Sequence, residues 1–384
     1  MQFEFATATR IVFGEGSFKR IGGLTSEMGS RAFVACGLDR QRGEAIREAL
    51  FSVKLESILF SVQGEPSIDL VYQGTALARQ AGCDVVIGFG GGSALDCGKA
   101  IAALLTNPGD LLDYLEVIGR GKPLTEWSAP FIAIPTTAGT GTEVTRNAVL
   151  GASEHRIKVS LRSPLMLPKL ALVDPELTYS LPPGITASTG LDALTQLIEP
   201  FVCIQPNPIT DAVCREGMRH AARSLRRAYD QGDNPSARQG MSLASLMGGL
   251  ALANAKLGAV HGFASPMGGM FPAPHGAVCA RLLPFVMEAN LMALRKRLPD
   301  SEALSRYDEA GRILTNRVDA TAEDGVGWVR DVCQHFTIPP LSAYGLAQSD
   351  LKVLVEKAAQ ASSMQGNPIK LTADEMEEIL ARAL

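Results

Sequence analysis

Two histidines in the second half of the chain are candidate metal ligands. His261 and His275 bracket the stretch HGFASPMGGMFPAPHG. Its glycines and prolines predict a corner between two helices. Such a corner can turn both imidazoles toward one point, and a neutral imidazole is the commonest metal ligand in proteins. The pair raises the question of which other side chains complete a metal site.

Candidate partners lie in the stretch TASTGLDALTQLIEPFV, whose apolar spacing predicts a helix. Asp192 and Gln196 are four residues apart there, so their side chains share one helical face. A carboxylate and an amide together with two imidazoles make a mixed oxygen and nitrogen set for a divalent metal. The alternative for Asp192 is a buried helix cap or an ion-pair partner.

A second chemical feature is the run Gly90-Gly91-Gly92-Ser93, which joins an apolar strand pattern to a helical one. Glycines remove the Cβ atoms that would keep a phosphate from the backbone, and the N–H groups at a helix start donate to anions. The run differs from the G-x-G-x-x-G of a standard dinucleotide fold because it follows the third strand-like run. A tight structural turn is the alternative.

A threonine-rich loop, IPTTAGTGTEVTRNAVL, provides hydroxyls around Gly139 and Gly141. Hydroxyls in such a loop can bind phosphate and ribose oxygens without adding charge. The structural alternative is a polar loop followed by a β-hairpin. Lys158 follows on a strand pattern, and its functional interpretation depends on the loops beside it.

The elements that must position these residues change in character near residue 182. Before it, short β-rich runs alternate with helical patterns, which is typical of a mostly parallel sheet flanked by helices. After it, helical periodicity continues to the C-terminus. We predict an α/β domain over residues 1–182 and an all-helical domain over residues 183–384. The predicted strands are 31–35, 55–62, 84–89 and 130–135, and the predicted C-terminal helices are 186–202, 210–229, 237–257, 277–296, 304–314, 322–336, 350–361 and 373–383.

Composition narrows the class of protein. A net charge of −4 gives no reason to expect a nucleic acid or an anionic membrane as partner. The seven cysteines are odd in number and contain no C-x-x-C pair, which argues against a disulfide framework and a thiolate zinc site. The N-terminus lacks the positive and apolar regions of a signal peptide, so we expect a cytoplasmic protein.

Taken together, the motifs GGGSALDCGKAIA, IPTTAGTGTEVT, DPELTYSLPPGITASTGLDALTQLIE and AVHGFASPMGGMFPAPHG resemble the iron-dependent (group III) alcohol dehydrogenases in order and spacing. The resemblance runs from FGEGSFKRIG near the N-terminus to GNPIKLT near the C-terminus. It implies an N-terminal NAD(P)-binding α/β domain, an all-helical metal and substrate domain, and a fold shared with dehydroquinate synthase. It also implies NAD or NADP, a divalent metal (iron or zinc), a small alcohol or carbonyl substrate, and a homodimer.

Site residues follow from the resemblance position by position. It implies that the cofactor diphosphate lies at Gly91, Gly92 and Ser93, that Thr136, Thr137 and Thr140 lie on the nicotinamide ribose side, that Lys158 touches the cofactor, and that the metal positions are Asp192, Gln196, His261 and His275.

At two expected active-site positions the sequence departs from the family pattern. Gln196 stands where the family has a histidine ligand, and an amide oxygen is a weaker donor for a transition metal. Ser265 stands where many members have a histidine that relays protons. The alternatives are a remodelled metal site, a metal-independent reductase of the maleylacetate reductase type, and a non-catalytic nucleotide-binding relative. A buried Asp192 with no facing cation would be costly, which favours the metal.

Cofactor preference depends on the end of the strand at 31–35. Many NAD-preferring members carry an acidic residue where Gly37 falls, and its absence removes a repulsion against a 2′-phosphate. Arg40 could attract that phosphate, whereas Asp39 opposes it. We therefore expect an NAD- or NADP-dependent dehydrogenase or carbonyl reductase with Gly37 and Asp39 at the cofactor. His155, His220 and His335 lie outside the motifs and are interpreted as structural or surface residues.

Overall fold

Alternating apolar and amphipathic segments in the first half of the chain produce a parallel sheet flanked by helices. The computed structural model describes residues 2–37, 40–152, 155 and 157–384, with the side chains of residues 40–42 left undescribed. The strands are β1 (Ile11–Phe13), β2 (Arg31–Cys36), β3 (Glu56–Ser61), β4 (Val85–Gly90), β5 (Phe131–Pro135), β6 (Asn147–Ala152), β7 (Ile157–Arg162) and β8 (Leu170–Val173). The accompanying helices are α1 (Ile21–Ser26), α2 (Arg40–Phe51), α3 (Ile68–Gln80), α4 (Gly92–Thr106) and α5 (Leu111–Tyr114).

Six strands form the main sheet in the order β1-β8-β5-β4-β2-β3, and every neighbouring pair is parallel. All six residues of β4 are buried, as expected for a strand covered on both faces. Val86 packs in an apolar cluster with Leu95 and Ile101, whereas Ile87 packs in a separate cluster with Ile46. Strands β6 and β7 form a separate antiparallel hairpin, which confirms the structural expectation for the segment after the threonine loop.

The strand order contains a reversal that explains where the glycine run lies. From β2 the chain moves outward to β3, then returns to place β4 on the other side of β2 and continues through β5 to β8. Counted along the chain, these five strands have the spatial order 2-1-3-4-5, and ligands of such sheets bind beyond the carboxyl ends of the strands at the reversal. The reversal lies between β2 and β4, so the relevant turn follows the third of these strands.

The second half of the chain is helical, as predicted. Its helices are α6 (Pro183–Val202), α7 (Pro208–Asp230), α8 (Pro235–Asn254), α9 (Ala259–Met270), α10 (His275–Arg297), α11 (Glu302–Thr315), α12 (Ala322–His335), α13 (Leu351–Gln360) and α14 (Ala373–Ala383). Local signals start several of them: the Asn207 side chain accepts from the Thr210 N–H at the start of α7, and Pro208 occupies the first turn. The α/β fold followed by an all-helical region confirms the expected fold class.

The described residues divide into two compact units. One contains Ala6–Thr137 and Thr142–Thr178, and the other contains Tyr179–Leu384, Ala138–Gly141 and the residues before Ala6. Four residues of the threonine loop therefore belong to the helical unit. Helix α10 is long and apolar enough to cross a bilayer by length and composition alone, but 72% of its most apolar window is buried inside the protein, as in the core helix of a globular domain.

One expectation about local structure is wrong. The Gly/Pro-rich stretch between the two histidines was expected to be a corner between two helices, but most of it is itself helix α9, with Pro266 inside the helix. Phe263, Ala264 and Met267 of this helix are fully buried in the apolar core of the helical unit. Burial of that face outweighs the poor helix propensity of glycine and proline. His261 lies in the first turn of α9, and His275 is the first residue of α10.

Candidate metal and cofactor sites

Helix α6 supplies the oxygen ligands of the candidate metal site. Asp192 and Gln196 are buried at 1% and 2% exposure, and their four-residue spacing puts them on one face of the helix. The predicted pairing of a carboxylate and an amide is therefore present in the structure. Both side chains lie in the helical unit, within the described part of the chain.

The two imidazoles meet at Asp192. The Nε2 atom of His261 lies 3.5 Å from Asp192 Oδ1, and the Nε2 atom of His275 lies 3.7 Å from the same oxygen. A side chain at Gly276 would place its Cβ 2.7 Å from the backbone oxygen of Ser188 on α6. Glycine at this position therefore allows the start of α10 to approach α6 closely enough for His275 to reach the carboxylate.

Cys279 also belongs to this group. One ligand atom from each of Asp192, His261, His275 and Cys279 lies within 4.8 Å of the others. The Cys279 sulfur is 3.6 Å from His275 Nε2. The absence of a C-x-x-C pair had argued against a thiolate zinc site, so Cys279 was not predicted as a site residue. A usable signal existed, because Cys279 follows His275 by four residues and therefore shares its helical face.

Three polar atoms in or beside this group are buried without a hydrogen-bond partner in the described structure. Asp192 Oδ1, Gln196 Oε1 and His261 Nε2 are inaccessible to solvent, and none has a hydrogen-bond partner among the described residues. Buried polar atoms are almost always satisfied, so the unsatisfied atoms of Asp192 and His261, which face each other, and of Gln196, one turn further along α6, need an explanation. A carboxylate, two imidazoles and a thiol are a suitable donor set for a divalent transition metal. The residues present therefore fit a metal ion.

Glu199 orients one of the imidazoles. The Nδ1–H of His261 donates to Glu199 Oε2 at 2.6 Å, and the backbone N–H of Val260 donates to Glu199 Oε1 at 2.7 Å. The first bond fixes the tautomer that leaves Nε2 available to a metal. Glu199 was not predicted as a site residue, although it lies seven residues, or two helical turns, after Asp192 on the same helix.

Charges around His261 control its protonation. Burial lowers the pKa of His261, but the carboxylates of Glu199 and Asp192 outweigh it and raise the pKa to about 10. Burial raises the pKa of Asp192, and the facing His275 and His261 outweigh that effect and lower it below its usual value. A metal requires the neutral imidazole, so binding at Nε2 releases a proton.

The predicted diphosphate site lies at the reversal of strand order. Gly37 follows β2 and Gly90 ends β4, and a Cβ added at Gly90 would lie 3.2 Å from the Gly37 backbone nitrogen. Gly90 has φ +153°, which favours glycine. Helix α4 starts at Gly92 without a side-chain cap, whereas α3 is capped by Ser67. The uncapped helix start lies where this class of sheet binds its ligands.

The other predicted cofactor residues are dispersed over several elements. Thr136 follows β5, and its N–H donates to the Gly90 carbonyl at 2.9 Å. Thr137 is the next residue, whereas Thr140 belongs to the helical unit. Lys158 on β7 forms an ion pair with Glu65 at 3.0 Å. Asp39 lies outside the described residues.

A second buried charged group, which sequence analysis did not single out, lies in the α/β unit. The Lys99 ammonium donates to Thr142 O, Thr145 Oγ1 and Asn147 O at 2.8 to 2.9 Å. Asp96 accepts from Thr142 Oγ1 at 2.6 Å and from the Val149 N–H at 3.1 Å. These bonds tie α4 to the threonine loop and to β6. We call Asp96, Lys99, Thr142 and Thr145 the Lys99 cluster.

Comparison with known proteins shows which family this chain belongs to. Residues 8–175 match the family described as iron-containing alcohol dehydrogenase, and residues 186–384 match the C-terminal domain of the Fe-containing alcohol dehydrogenase family. The chain belongs to the iron-containing alcohol dehydrogenase family. The resemblance expected from the four motifs is thereby confirmed.

Individual relatives of this iron-containing alcohol dehydrogenase support the same conclusion. The chain is 35% identical to 1,3-propanediol dehydrogenase of Klebsiella pneumoniae, over 94% of this chain and 90% of that protein. It is 31% identical to NAD-dependent methanol dehydrogenase of Bacillus methanolicus, over 97% of both proteins. A crystal structure of 1,3-propanediol oxidoreductase matches with a TM-score of 0.91 and 31% identity over 100% of both chains.

The chain is therefore an oxidoreductase of the alcohol dehydrogenase type. It acts on a small alcohol or its carbonyl counterpart with a nicotinamide cofactor and a divalent metal. The expected enzyme class and cofactor class are confirmed.

Proposed function

We propose that Asp192, His261 and His275 hold the divalent metal, with the amide oxygen of Gln196 facing the same ion. The observation that carries the proposal is the set of three orphaned buried atoms, Asp192 Oδ1, Gln196 Oε1 and His261 Nε2. An imidazole from His275 lies within 3.7 Å of one of them. These atoms would regain favourable partners on binding a cation.

The cofactor residues are proposed on the same basis. The uncapped start of α4 and the close approach of β2 and β4 support diphosphate binding beside Gly37. The proposed contacts are Gly91, Gly92 and Ser93 for the diphosphate, Thr136, Thr137 and Thr140 for the nicotinamide ribose side, and Lys158 and Asp39 for further parts of the cofactor.

A nicotinamide bound beside Gly91 and Gly92 would supply hydride exchange with the substrate carbon, and a metal held by Asp192, His261 and His275 would supply polarisation of the substrate oxygen. The protein's own contribution is orientation and proton control. Glu199 holds His261 by its Nδ1–H, which keeps Nε2 directed at Asp192. Ser265 is one turn after His261 on α9 and is exposed. A serine hydroxyl does not titrate near neutral pH, so Ser265 cannot serve as a histidine-like acid or base.

We propose small primary alcohols and their aldehydes as substrates. Two relatives are named for 1,3-propanediol and for methanol, and both substrates are short primary alcohols. We also propose a cytoplasmic location and, from the family resemblance, a homodimer; sedimentation analysis would test the dimer.

The proposal is tested by oxidation of NADH and NADPH with a panel of short aldehydes. Protein treated with a chelator is compared with protein reloaded with Fe²⁺ or Zn²⁺. We expect turnover that depends on the metal and that is lost in Asp192→Asn. The matched control is Asp230→Asn, because Asp230 is a half-exposed partner of His335, and this variant should keep wild-type activity.

Each alternative has its own outcome in this assay. Full turnover after complete metal removal would support a metal-independent reductase instead. Cofactor binding without turnover on any substrate, with or without metal, would indicate a non-catalytic nucleotide-binding relative.

A further inference from the structure

We propose that the Cys279 thiolate is a direct metal ligand in this protein and supplies the strong fourth donor that Gln196 does not provide. The inference rests on the proposed metal site. It assigns this chain an Asp–His–His–Cys ligand set and a preference for a thiolate-binding metal such as Zn²⁺.

Three of the distances between the candidate donor atoms are those expected for atoms that share one metal ion. With zinc bonds of about 2.0–2.1 Å to nitrogen or oxygen and about 2.3 Å to sulfur, tetrahedral geometry separates two light donors by about 3.3 Å and a nitrogen from a sulfur by about 3.6 Å. The two Nε2-to-Oδ1 separations are 3.5 and 3.7 Å, and Cys279 Sγ lies 3.6 Å from His275 Nε2. The other separations within the group are at most 4.8 Å, so the sulfur lies close enough to share one ion with the other three donors, and a substrate oxygen would add as a fifth ligand.

The position of Cys279 in the fold supports inner-sphere binding. His275 and Cys279 are one turn apart on α10, so one helix face presents both donors to Asp192. Cys279 is fully buried, and a metal deprotonates a coordinating thiol. Asp192 Oδ1 and His261 Nε2, buried without hydrogen-bond partners in the described structure, point to a ligand independently of the cysteine.

The chemistry of the donors distinguishes Cys279 from Gln196. A thiolate is a soft, charged donor that favours zinc, whereas an amide oxygen is a neutral, hard donor that suits magnesium, calcium or manganese. Among the described residues, no other cysteine joins the group of facing donors. A sulfur atom bound to the metal must therefore come from Cys279.

The experiment is X-ray absorption at the zinc edge on the full-length protein loaded with Zn²⁺. We expect one sulfur at about 2.3 Å together with lighter donors at about 2.0–2.1 Å. Co²⁺-loaded protein should show a thiolate-to-metal charge-transfer band in the near ultraviolet. Cys279→Ser should lose both signals and bind Zn²⁺ at least about 100-fold more weakly.

Three variants complete the test. Gln196→Ala should keep the sulfur signal and an affinity within about tenfold of wild type. Cys333→Ser is the matched control, because this half-buried thiol donates to the carbonyl of Ala280, the residue after Cys279, yet is not one of the facing donors, and it should keep the signal. The double variant Gln196→His/Cys279→Ser should recover affinity without recovering the sulfur signal.

The outcomes separate this inference from the proposed function. Zinc bound by the wild-type protein with only nitrogen and oxygen donors would overturn the role of Cys279 and leave the metal site standing. Failure of the wild-type protein to bind Zn²⁺ or Co²⁺ would overturn both. The wild-type spectrum decides even if Cys279→Ser does not fold.

Discussion

The molecule buries two groups of charged side chains, and they are satisfied in opposite ways. In the Lys99 cluster the ammonium has three hydrogen bonds at 2.8 to 2.9 Å, and Asp96 accepts two more. In the Asp192 cluster, which we define as Asp192, Gln196, His261, His275 and Cys279, three atoms in the described structure are buried without hydrogen-bond partners. The first group is closed by the protein itself, whereas the second is open to a ligand.

This contrast separates a structural role from a binding role. Both groups carry titratable side chains with shifted pKa values: burial lowers the pKa of Lys99 to about 8, although Asp96 and Glu143 oppose it. A shifted pKa therefore does not identify the functional site here. The state of the hydrogen bonds does, because an unsatisfied buried group is costly unless something binds it.

We expect the largest effect on folding stability from a substitution in the Lys99 cluster. Lys99→Met leaves Asp96 without its cation and several buried oxygens without donors, so we expect a loss of about 3–5 kcal/mol in the free energy of unfolding. Denaturant titration measures it. The control is Lys122→Met, because Lys122 forms an exposed pair with Asp113 and should contribute at most about 1 kcal/mol. Equal effects of the two substitutions would contradict a structural role for Lys99.

Added metal should raise the free energy of unfolding through the Asp192 cluster and not through the Lys99 cluster. At a Zn²⁺ concentration of about 1,000 times Kd, chelator-treated wild-type protein should gain about 4 kcal/mol in the free energy of unfolding. Asp192→Asn should lack this increment. Lys99→Met should be less stable than wild type yet retain the whole increment. Thermal unfolding with and without Zn²⁺ measures all three, and a lost response in Lys99→Met would show that the two clusters are not independent.

Next to the Lys99 cluster, Glu143 is a buried charged residue that is not fully hydrogen-bonded, and it provides a third prediction. Its Oε2 atom is buried without a hydrogen-bond partner among the described residues, and burial raises the pKa of Glu143 to about 7, against the lowering effects of its own backbone and Lys99. The folded state therefore binds a proton that the unfolded state releases above about pH 4.5. Stability from this group is fully present at low pH and is lost as pH rises through 7.

Glu143→Gln should remove this pH dependence. Between about pH 5 and pH 8 the wild-type protein should lose up to about 3 kcal/mol that the variant keeps. Lys99 adds no slope over most of this range, because it is protonated in both states below its pKa of about 8. Free energies of unfolding at the two pH values provide the measurement, and parallel pH profiles would rule out a buried, titrating Glu143.

The parts of this structure that sequence could predict are those set by local periodicity. The four-residue spacing of Asp192 and Gln196 placed them on one helical face, and the alternation of runs before residue 182 predicted a parallel sheet. The glycine run before α4 was recognised as a helix start. Its location after the third of five strands became understandable only with the strand order, because that order depends on which strands pair across the sheet.

What sequence could not show depends on tertiary packing. The stretch around Pro266 was expected to form a corner between two helices, but core burial of Phe263 and Met267 makes it helical. Cys279 and Glu199 join the site because α9 and α10 meet α6 at particular rotations about their axes. Spacing shows which residues share a face of one helix, but it does not show which face another helix contacts.

We expect the smallest effect from a substitution of Glu199, which tests how the His261 imidazole of the Asp192 cluster is oriented. Its carboxylate accepts from both Val260 N–H and His261 Nδ1–H. In Glu199→Gln the amide can accept only one of these bonds, and its NH₂ group faces the other donor. We expect Zn²⁺ affinity to fall by about 10–100-fold, as for loss of other partners that orient a ligand histidine. Competition with a zinc chelator measures the affinity, and Glu302→Gln, a change at an exposed carboxylate that pairs with Arg306, is the control. Unchanged affinity in Glu199→Gln would mean that packing of the helices alone orients His261. The hydrogen bond to the Glu199 carboxylate would then not be needed for metal binding by the Asp192 cluster.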